Sequence, residues 1–243
     1  MTDIWAHRGA SVALPENTLA AFAAAVAAGA DGVEFDVQLS ADGVPVVIHD
    51  ERVDRTHDGV GWVGELSAAS LASLAPRAAV GAAGAIPTLD EVLDLLAPTS
   101  LAINIELKNS VVSYPGLEQR VVAAVAARGL VGRTVLSTFN HHSLRLLAGL
   151  DSGCELAALY TDPLYKPWDY LASLGVQAVH PPVAALDDGE FVARCHERGL
   201  AVRPWFSNDA DELAGLMAVG VDALFTDDPA LALAVRADRR STR

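Results

Sequence analysis

Lysine is nearly missing from this chain, which has only Lys108 and Lys166. Lysine and arginine together number 17 against 31 aspartates and glutamates, for a net charge of -14. That balance argues against a general nucleic-acid binder and against docking on anionic membranes. An anionic ligand would have to be drawn in by local positive charge, so Lys108 stands out. Cysteine is scarce too: Cys154 and Cys195 lack metal-ligand spacing and read as small buried hydrophobes in a reducing compartment. No stretch approaches the ~20 uninterrupted apolar residues of a membrane span. The start, Met1-Thr-Asp-Ile-Trp-Ala, has neither the basic nor the apolar region of an export leader. The expectation is a cytoplasmic protein with no nucleic-acid partner and no stable membrane insertion.

What is present is core material. Hydrophobic residues make up 51% of the 243 and charged residues 20%, too apolar for disorder and enough for one domain over residues 1–243. Five helical segments end in a glycine that leads into an apolar run, at Gly29, Gly129, Gly175, Gly199 and Gly220. Each reads as a helix C-cap before a strand. Helix starts are signalled near Pro15, Thr88, Pro115, Asn140, Asp187 and Asp209. The runs between predict strands near 4–7, 31–37, 101–107, 134–138, 155–159, 177–180, 200–205 and 222–226. Eight strands, most followed by a helix, predict an α/β fold, a (β/α)8 TIM barrel, with a doubly wound sheet as the alternative. Residues 45–86 break the rhythm with an extra strand from Val44 to His49 and an irregular stretch from His57 to Gly84, a small insertion after strand 2 at the barrel rim. The Arg-rich end from Arg236 is expected to fray.

Alternation on the strands then places the chemistry. Glu34 and Asp36 flank Phe35, so their carboxylates share one strand face while Val33, Phe35 and Val37 take the other. Glu106 repeats the device between Ile105 and Leu107. Aligned acids on a buried strand are costly unless something compensates them. Oxygen-only donors suit one hard divalent cation, Mg²⁺ or Ca²⁺. Salt bridges to Arg8 and Lys108 are the plainer alternative. Barrel sites sit at the C-terminal ends of strands, where His7, Arg8, Glu34, Asp36, His49, Glu106, Lys108 and Trp205 all fall. Two histidines can divide acid and base work near neutral pH, and Arg8 and Lys108 can hold an anion. His180 reads equally as a mouth-lining or a structural residue. Trp5, Trp62 and Trp168 read as packing residues.

An ordered set of motifs spans nearly the whole chain. It comprises His7-Arg8-Gly9, Pro15-Glu-Asn-Thr18, Gly29-Ala-Asp-Gly-Val-Glu-Phe-Asp-Val37, Ser40-Ala-Asp-Gly43, Val46-Val-Ile-His-Asp50, Arg55-Thr56, Pro87-Thr-Leu-Asp-Glu-Val-Leu93, Ile105-Glu-Leu-Lys108, Ser137-Thr-Phe-Asn-His141, Pro204-Trp205 and Thr226-Asp-Asp-Pro229. In this the chain resembles the glycerophosphodiester phosphodiesterases. The resemblance implies a barrel enzyme that splits small-molecule glycerophosphodiesters into sn-glycerol 3-phosphate and an alcohol. It implies that Glu34, Asp36 and Glu106 bind the divalent ion, that His7 and His49 do acid–base work, and that Arg8 and Lys108 hold phosphate beside Trp205. His57 and Asp58 stand where the family often has Thr and Asn, a departure that touches substrate preference. Other readings are a non-catalytic barrel binding phosphorylated ligands, a phospholipase-type enzyme acting on lipids, and a lyase using Lys108 as a Schiff-base amine.

Overall fold

A computed structural model describes residues 1–77, 84–162, 164–186 and 189–241. In chain order the elements are β1 (Asp3–His7), α1 (Leu19–Ala28), β2 (Gly32–Leu39), β3 (Pro45–Val47), α2 (Ala68–Ala72), α3 (Leu89–Leu96), β4 (Ala102–Leu107), α4 (Leu117–Ala127) and β5 (Thr134–Thr138). They continue as α5 (His141–Gly149), β6 (Glu155–Leu159), α6 (Trp168–Ser173), β7 (Ala178–His180), α7 (Glu190–His196), β8 (Ala201–Val202), α8 (Ala210–Val219), β9 (Ala223–Thr226) and α9 (Pro229–Ser241).

Eight parallel strands run in the order β8-β7-β6-β5-β4-β2-β1-β9, and β3 lies antiparallel on β2. The ends of that path meet. Backbone bonds from Asp222 N to Val202 O (2.9 Å), Phe225 N to Pro204 O (3.3 Å) and Ser207 N to Phe225 O (3.2 Å) join the β8 and β9 segments. This is the expected TIM barrel, nearly closed, and not the open sheet of the alternative. All eight β2 residues are buried, as a strand covered on both sides requires. Val33, Phe35 and Val37 join Ile103, Ile105 and Leu107 in the layer under the helices, packed with Phe22, Val92, Leu93, Val121 and Leu144. Each such fully buried side chain contributes about 1.5–3 kcal/mol. A second cluster, Trp5, Val135, Ala157, Ala178, Ala223 and Phe225, fills the barrel interior.

The five anticipated helix-ending glycines all have positive φ, from 67° to 91°. Thr88, Asn140 and Asp209 cap their helices with side-chain acceptors, Thr88 in a reciprocal pair with Glu91. Other boundaries differ from expectation. Residues 16–17 form a turn with Asn17 at φ 58°, so the cap of α1 is Thr18 and not Pro15. The start expected at Asp187 lies outside the described residues, and α7 begins at Glu190. Strand β2 runs on to Leu39 because β3 extends its hydrogen-bonded edge. The irregular stretch after His57 holds a helical turn at Val63–Glu65 and α2, which pack Val63 and Leu71 with Val46, Ile48, Val53 and Ile86. Arg236, Arg239 and Arg240, expected to fray, are helical in α9, and Arg243 lies outside the described residues. Arg236 pairs with Asp31, and Arg239 donates to Ala214 O at 2.9 Å. Trp5 is buried, whereas Trp62 is exposed under the Arg52 guanidinium, so the packing reading fails there. Among the described residues no helix is long and apolar enough to cross a membrane.

Candidate active site

The mouth begins with a forced turn. Arg8 sits at φ 57°, a left-handed conformation that is unfavourable outside glycine. Its N–H donates to Glu34 O at 3.0 Å and to Glu34 Oε2 at 3.1 Å, and its carbonyl accepts from Asn17 N at 3.0 Å. Next to it Gly9 has φ 85°, and a Cβ there would lie 2.7 Å from the backbone carbon of Ala21. Only glycine lets β1 turn this closely over α1. The turn leaves His7 facing inward from the end of β1. Its Nδ1 meets Asp227 Oδ1 at 2.7 Å, and Asp227 also accepts from Ser11 Oγ at 3.0 Å and Asn208 Nδ2 at 2.7 Å. Phe206 stacks on the imidazole with centroids 4.7 Å apart. Thus Nε2 looks toward Glu34 Oε2, 3.9 Å away.

Register explains the acidic cluster. Asp36 lies beside Glu106 across β2 and β4, and Glu34 precedes Asp36 on the same face. Each residue offers an oxygen within 4.8 Å of the others. Burial pushes the Glu34 carboxyl well above the usual range, and the neighbouring charges of Asp36 and Glu106 add to the rise. Burial also raises Glu106, against the pull of Lys108 and with the push of Asp36, to about 7. Burial pushes on Asp36 too, but Arg8, His49, Lys108 and the Asn17 amide outweigh it and hold that carboxyl at about 2. Arg8 Nε lies 3.3 Å from Asp36 and Lys108 Nζ lies 2.9 Å from Glu106 Oε1. Glu106 Oε1 thus has the Lys108 ammonium as its close partner. Three acids against two cations, all of them oxygen donors within reach of one point, fit a hard divalent ion.

His49 follows β3 and is locked from behind. Gln38 Nε2 donates to the carbonyls of Ile48, His49 and Asp50 at 2.8–3.0 Å, while Tyr114 OH donates to Gln38 Oε1 at 2.9 Å. His49 Nδ1 meets Asp50 Oδ1 at 2.6 Å and Nε2 accepts from Lys108 Nζ at 3.2 Å. An ammonium can only donate, so Nε2 accepts from Lys108 and the ring proton belongs on Nδ1. Burial lowers the imidazole pKa, and Arg8 and Lys108 act in the same direction. The other side of the mouth is apolar, lined by Phe139, Leu159, Trp205, Phe206 and Phe225. Trp205 Nε1 donates to His180 O at 3.1 Å, and its ring meets Phe139 edge-on. His180 is fully buried beneath this wall, its pKa pushed well below the ordinary value by burial and by Arg203. A larger cavity, 710 Å³, opens at the N-terminal end of the strands and touches neither His7 nor His49.

All eight residues anticipated at the mouth are brought together there. His57 is buried in the insertion, with Thr56 Oγ1 and Gly84 O as its partners. His141 bonds Tyr170 and Leu159 O, and His196 bonds Asp222. Four charged neighbours had appeared only as parts of motifs: Glu16, Asp50, Arg55 and Asp227. Asp50 directly follows His49 and could have been found from that adjacency. Asp227 meets His7 across 220 residues, which no local pattern reveals. Phe206 carried no signal beyond its place after Trp205.

A family model described as the glycerophosphoryl diester phosphodiesterase family matches residues 7–231. A glycerophosphodiester phosphodiesterase of Caldanaerobacter subterraneus subsp. tengcongensis is 37% identical over 231 residues, covering 94% of this chain and 95% of its own. Another, of Bacillus altitudinis, is 38% identical over 245 residues, covering 99% of this chain and 100% of its own. A solved Oleispira antarctica phosphodiesterase, in complex with the product sn-glycerol-3-phosphate, is 28% identical with a TM-score of 0.85. That match covers 98% of this chain and 97% of that one.

Proposed function

The chain belongs to the glycerophosphoryl diester phosphodiesterase family, and from that premise we propose that it hydrolyses glycerophosphodiesters to sn-glycerol 3-phosphate and an alcohol. The observation that carries this reading is the pairing of two imidazoles around one acidic cluster. His7 and His49 each set Nδ1 on a carboxylate, at 2.7 and 2.6 Å, and turn Nε2 into the same mouth. Such an arrangement fixes the tautomer and aims the reactive nitrogen.

In this reading Arg8 and Lys108 grip the phosphodiester oxygens, and Trp205 lies against the substrate's carbon skeleton. Glu34, Asp36 and Glu106 would hold a divalent ion, Mg²⁺ or Ca²⁺, whose charge offsets that of the phosphate. One imidazole takes the proton of the glycerol 2-hydroxyl as that oxygen attacks phosphorus. The other gives a proton to the departing alcohol as its P–O bond breaks. Water then opens the resulting cyclic phosphate with the two proton roles reversed, leaving sn-glycerol 3-phosphate. The low pKa of His49 suits a ring that starts neutral.

Incubation with glycerophosphocholine and a divalent ion tests the reading. The expected products are sn-glycerol 3-phosphate and choline, and release of phosphocholine with glycerol would contradict it. A substrate with hydrogen in place of the glycerol 2-hydroxyl is expected to be inert, and unchanged turnover would exclude the internal attack.

A further inference from the structure

Two sequence motifs take no part in the chemistry above, yet the fold brings them to one point on the rim. Glu16 stands in the loop between β1 and α1, and Arg55 stands in the segment after β3. Arg55 grips two carboxylates at once. Its Nη1 and Nη2 donate to Glu16 Oε2 and Oε1 at 2.8 and 2.7 Å, and its Nε and Nη2 donate to Asp50 Oδ2 and Oδ1 at 2.6 and 3.0 Å. Each carboxylate has a second partner in the mouth. Glu16 Oε1 accepts from Arg8 Nη1 at 2.9 Å, and Asp50 Oδ1 meets His49 Nδ1 at 2.6 Å.

We propose that Arg55 is a positioning residue, tying the acid–base imidazole of His49 to the phosphate-holding guanidinium of Arg8 through Asp50 and Glu16. This rests on the roles given to His49 and Arg8 in the preceding section. An isolated exposed ion pair ordinarily adds little to stability, and the Arg55 side chain is 49% exposed. A fold-stabilising role alone does not account for where the two carboxylates lead, to Arg8 and to His49. Orientation is a better one, because a misplacement of ~1 Å in a reacting group can cost ~100-fold in rate. Without Arg55, Asp50 and Glu16 would repel each other across the rim, and both inner partners would lose their fixed support. The planar guanidinium is required, since a lysine ammonium cannot bridge two carboxylates side-on.

The experiment compares wild type, Arg55→Met and Arg55→Lys with glycerophosphocholine and Mg²⁺, reading kcat, KM and melting temperature. It adds ¹⁵N-edited NMR of the His49 Nδ1 proton, assigned by its loss in His49→Asn. Arg55→Met is expected to lose about 10-fold or more in kcat and to raise KM about 3-fold or more, with melting within about 4 °C of wild type. Arg55→Lys should recover little of kcat, whereas a rim charge that merely attracts the anion would be restored by lysine. The Nδ1 proton should shift or broaden in Arg55→Met. Kinetics within twofold of wild type together with an unmoved Nδ1 proton would overturn the proposal. If wild type turns over no diester, the catalytic reading fails, and the NMR comparison alone still decides whether Arg55 orients His49. An unmoved proton there would sink the positioning role as well.

Discussion

The wall of the mouth built from β1, β2 and β4 carries His7, Arg8, Glu34, Asp36 and Glu106, with His49 and Lys108 at its edge. The wall from β5 round to β9 carries Phe139, Leu159, Trp205, Phe206 and Phe225. Glu34, Asp36 and Glu106 are set by alternation on parallel strands, whereas Phe139, Trp205 and Phe206 stand on the segments that follow β5 and β8. The walls also differ in what holds them. The aromatic wall is held by packing: Trp205 meets Phe139 edge-on, and Trp205 and Phe225 rest on a barrel interior of Trp5, Val135 and alanines. The charged wall is held at a cost: a left-handed Arg8, and two buried carboxyls, Glu34 and Glu106, whose ionisation burial resists. Strain and unmet charge gather where binding and bond-breaking are assigned, as expected of a site built for a task other than folding.

Mutations should separate the two walls. Glu34→Gln is expected to lower kcat/KM by about 1,000-fold or more, while leaving the metal-free melting temperature equal or higher, because a carboxyl whose ionisation is opposed by burial, Asp36 and Glu106 gives way to a neutral amide. A drop in metal-free stability would contradict the account of Glu34. His7→Ala and His49→Ala should each cost about 100- to 10,000-fold in kcat. A loss below tenfold at either position would remove that histidine from acid–base work. On the aromatic wall, Trp205→Ala should raise KM about 10-fold and leave kcat within about threefold, as expected for a residue that binds without reacting. A collapse of kcat at unchanged KM would show that the division between walls is wrong.

Ionisation gives a gentler test. Glu106 has its folded pKa raised from 4.5 to about 7, and Glu34 moves in the same direction. Between those values the metal-free fold binds more protons than the unfolded chain, so its stability falls as pH rises through that window. Asp36, held at about 2, acts oppositely but only below pH 4. A divalent ion offsets the charge that appears at high pH. The melting temperature gained on adding Mg²⁺ or Ca²⁺ should therefore be larger at pH 8 than at pH 5.5. Equal gains at both pH values would count against these carboxylates as the ligands.

Much of this was legible from local pattern. Alternation around Phe35 and Ile105 placed three carboxylates on one face, and eight strand-like runs implied the barrel. What local pattern cannot carry is pairing across the chain. The hold of Asp227 on His7 joins the two ends of the barrel, and the Arg55 bridge spans 39 residues. The same limit explains the misjudged C-terminus. A polar, Arg-rich tail has no reason of its own to be ordered, but Arg236 finds Asp31 once β1, β2 and β9 lie side by side. The start of α1 was misplaced because Asn17 leaves the helical region to reach Asp36 with its amide, a tertiary demand that overrides a local signal.

The most direct test is release of sn-glycerol 3-phosphate from glycerophosphocholine by chelator-treated protein, before and after Mg²⁺ or Ca²⁺ is restored, with Glu34→Ala run alongside. The expected result is no release from treated wild type, recovery on adding an ion, and no recovery in Glu34→Ala. Full turnover by metal-free protein, or recovery of Glu34→Ala to the wild-type rate, would contradict the assignment of Glu34, Asp36 and Glu106 as the metal site.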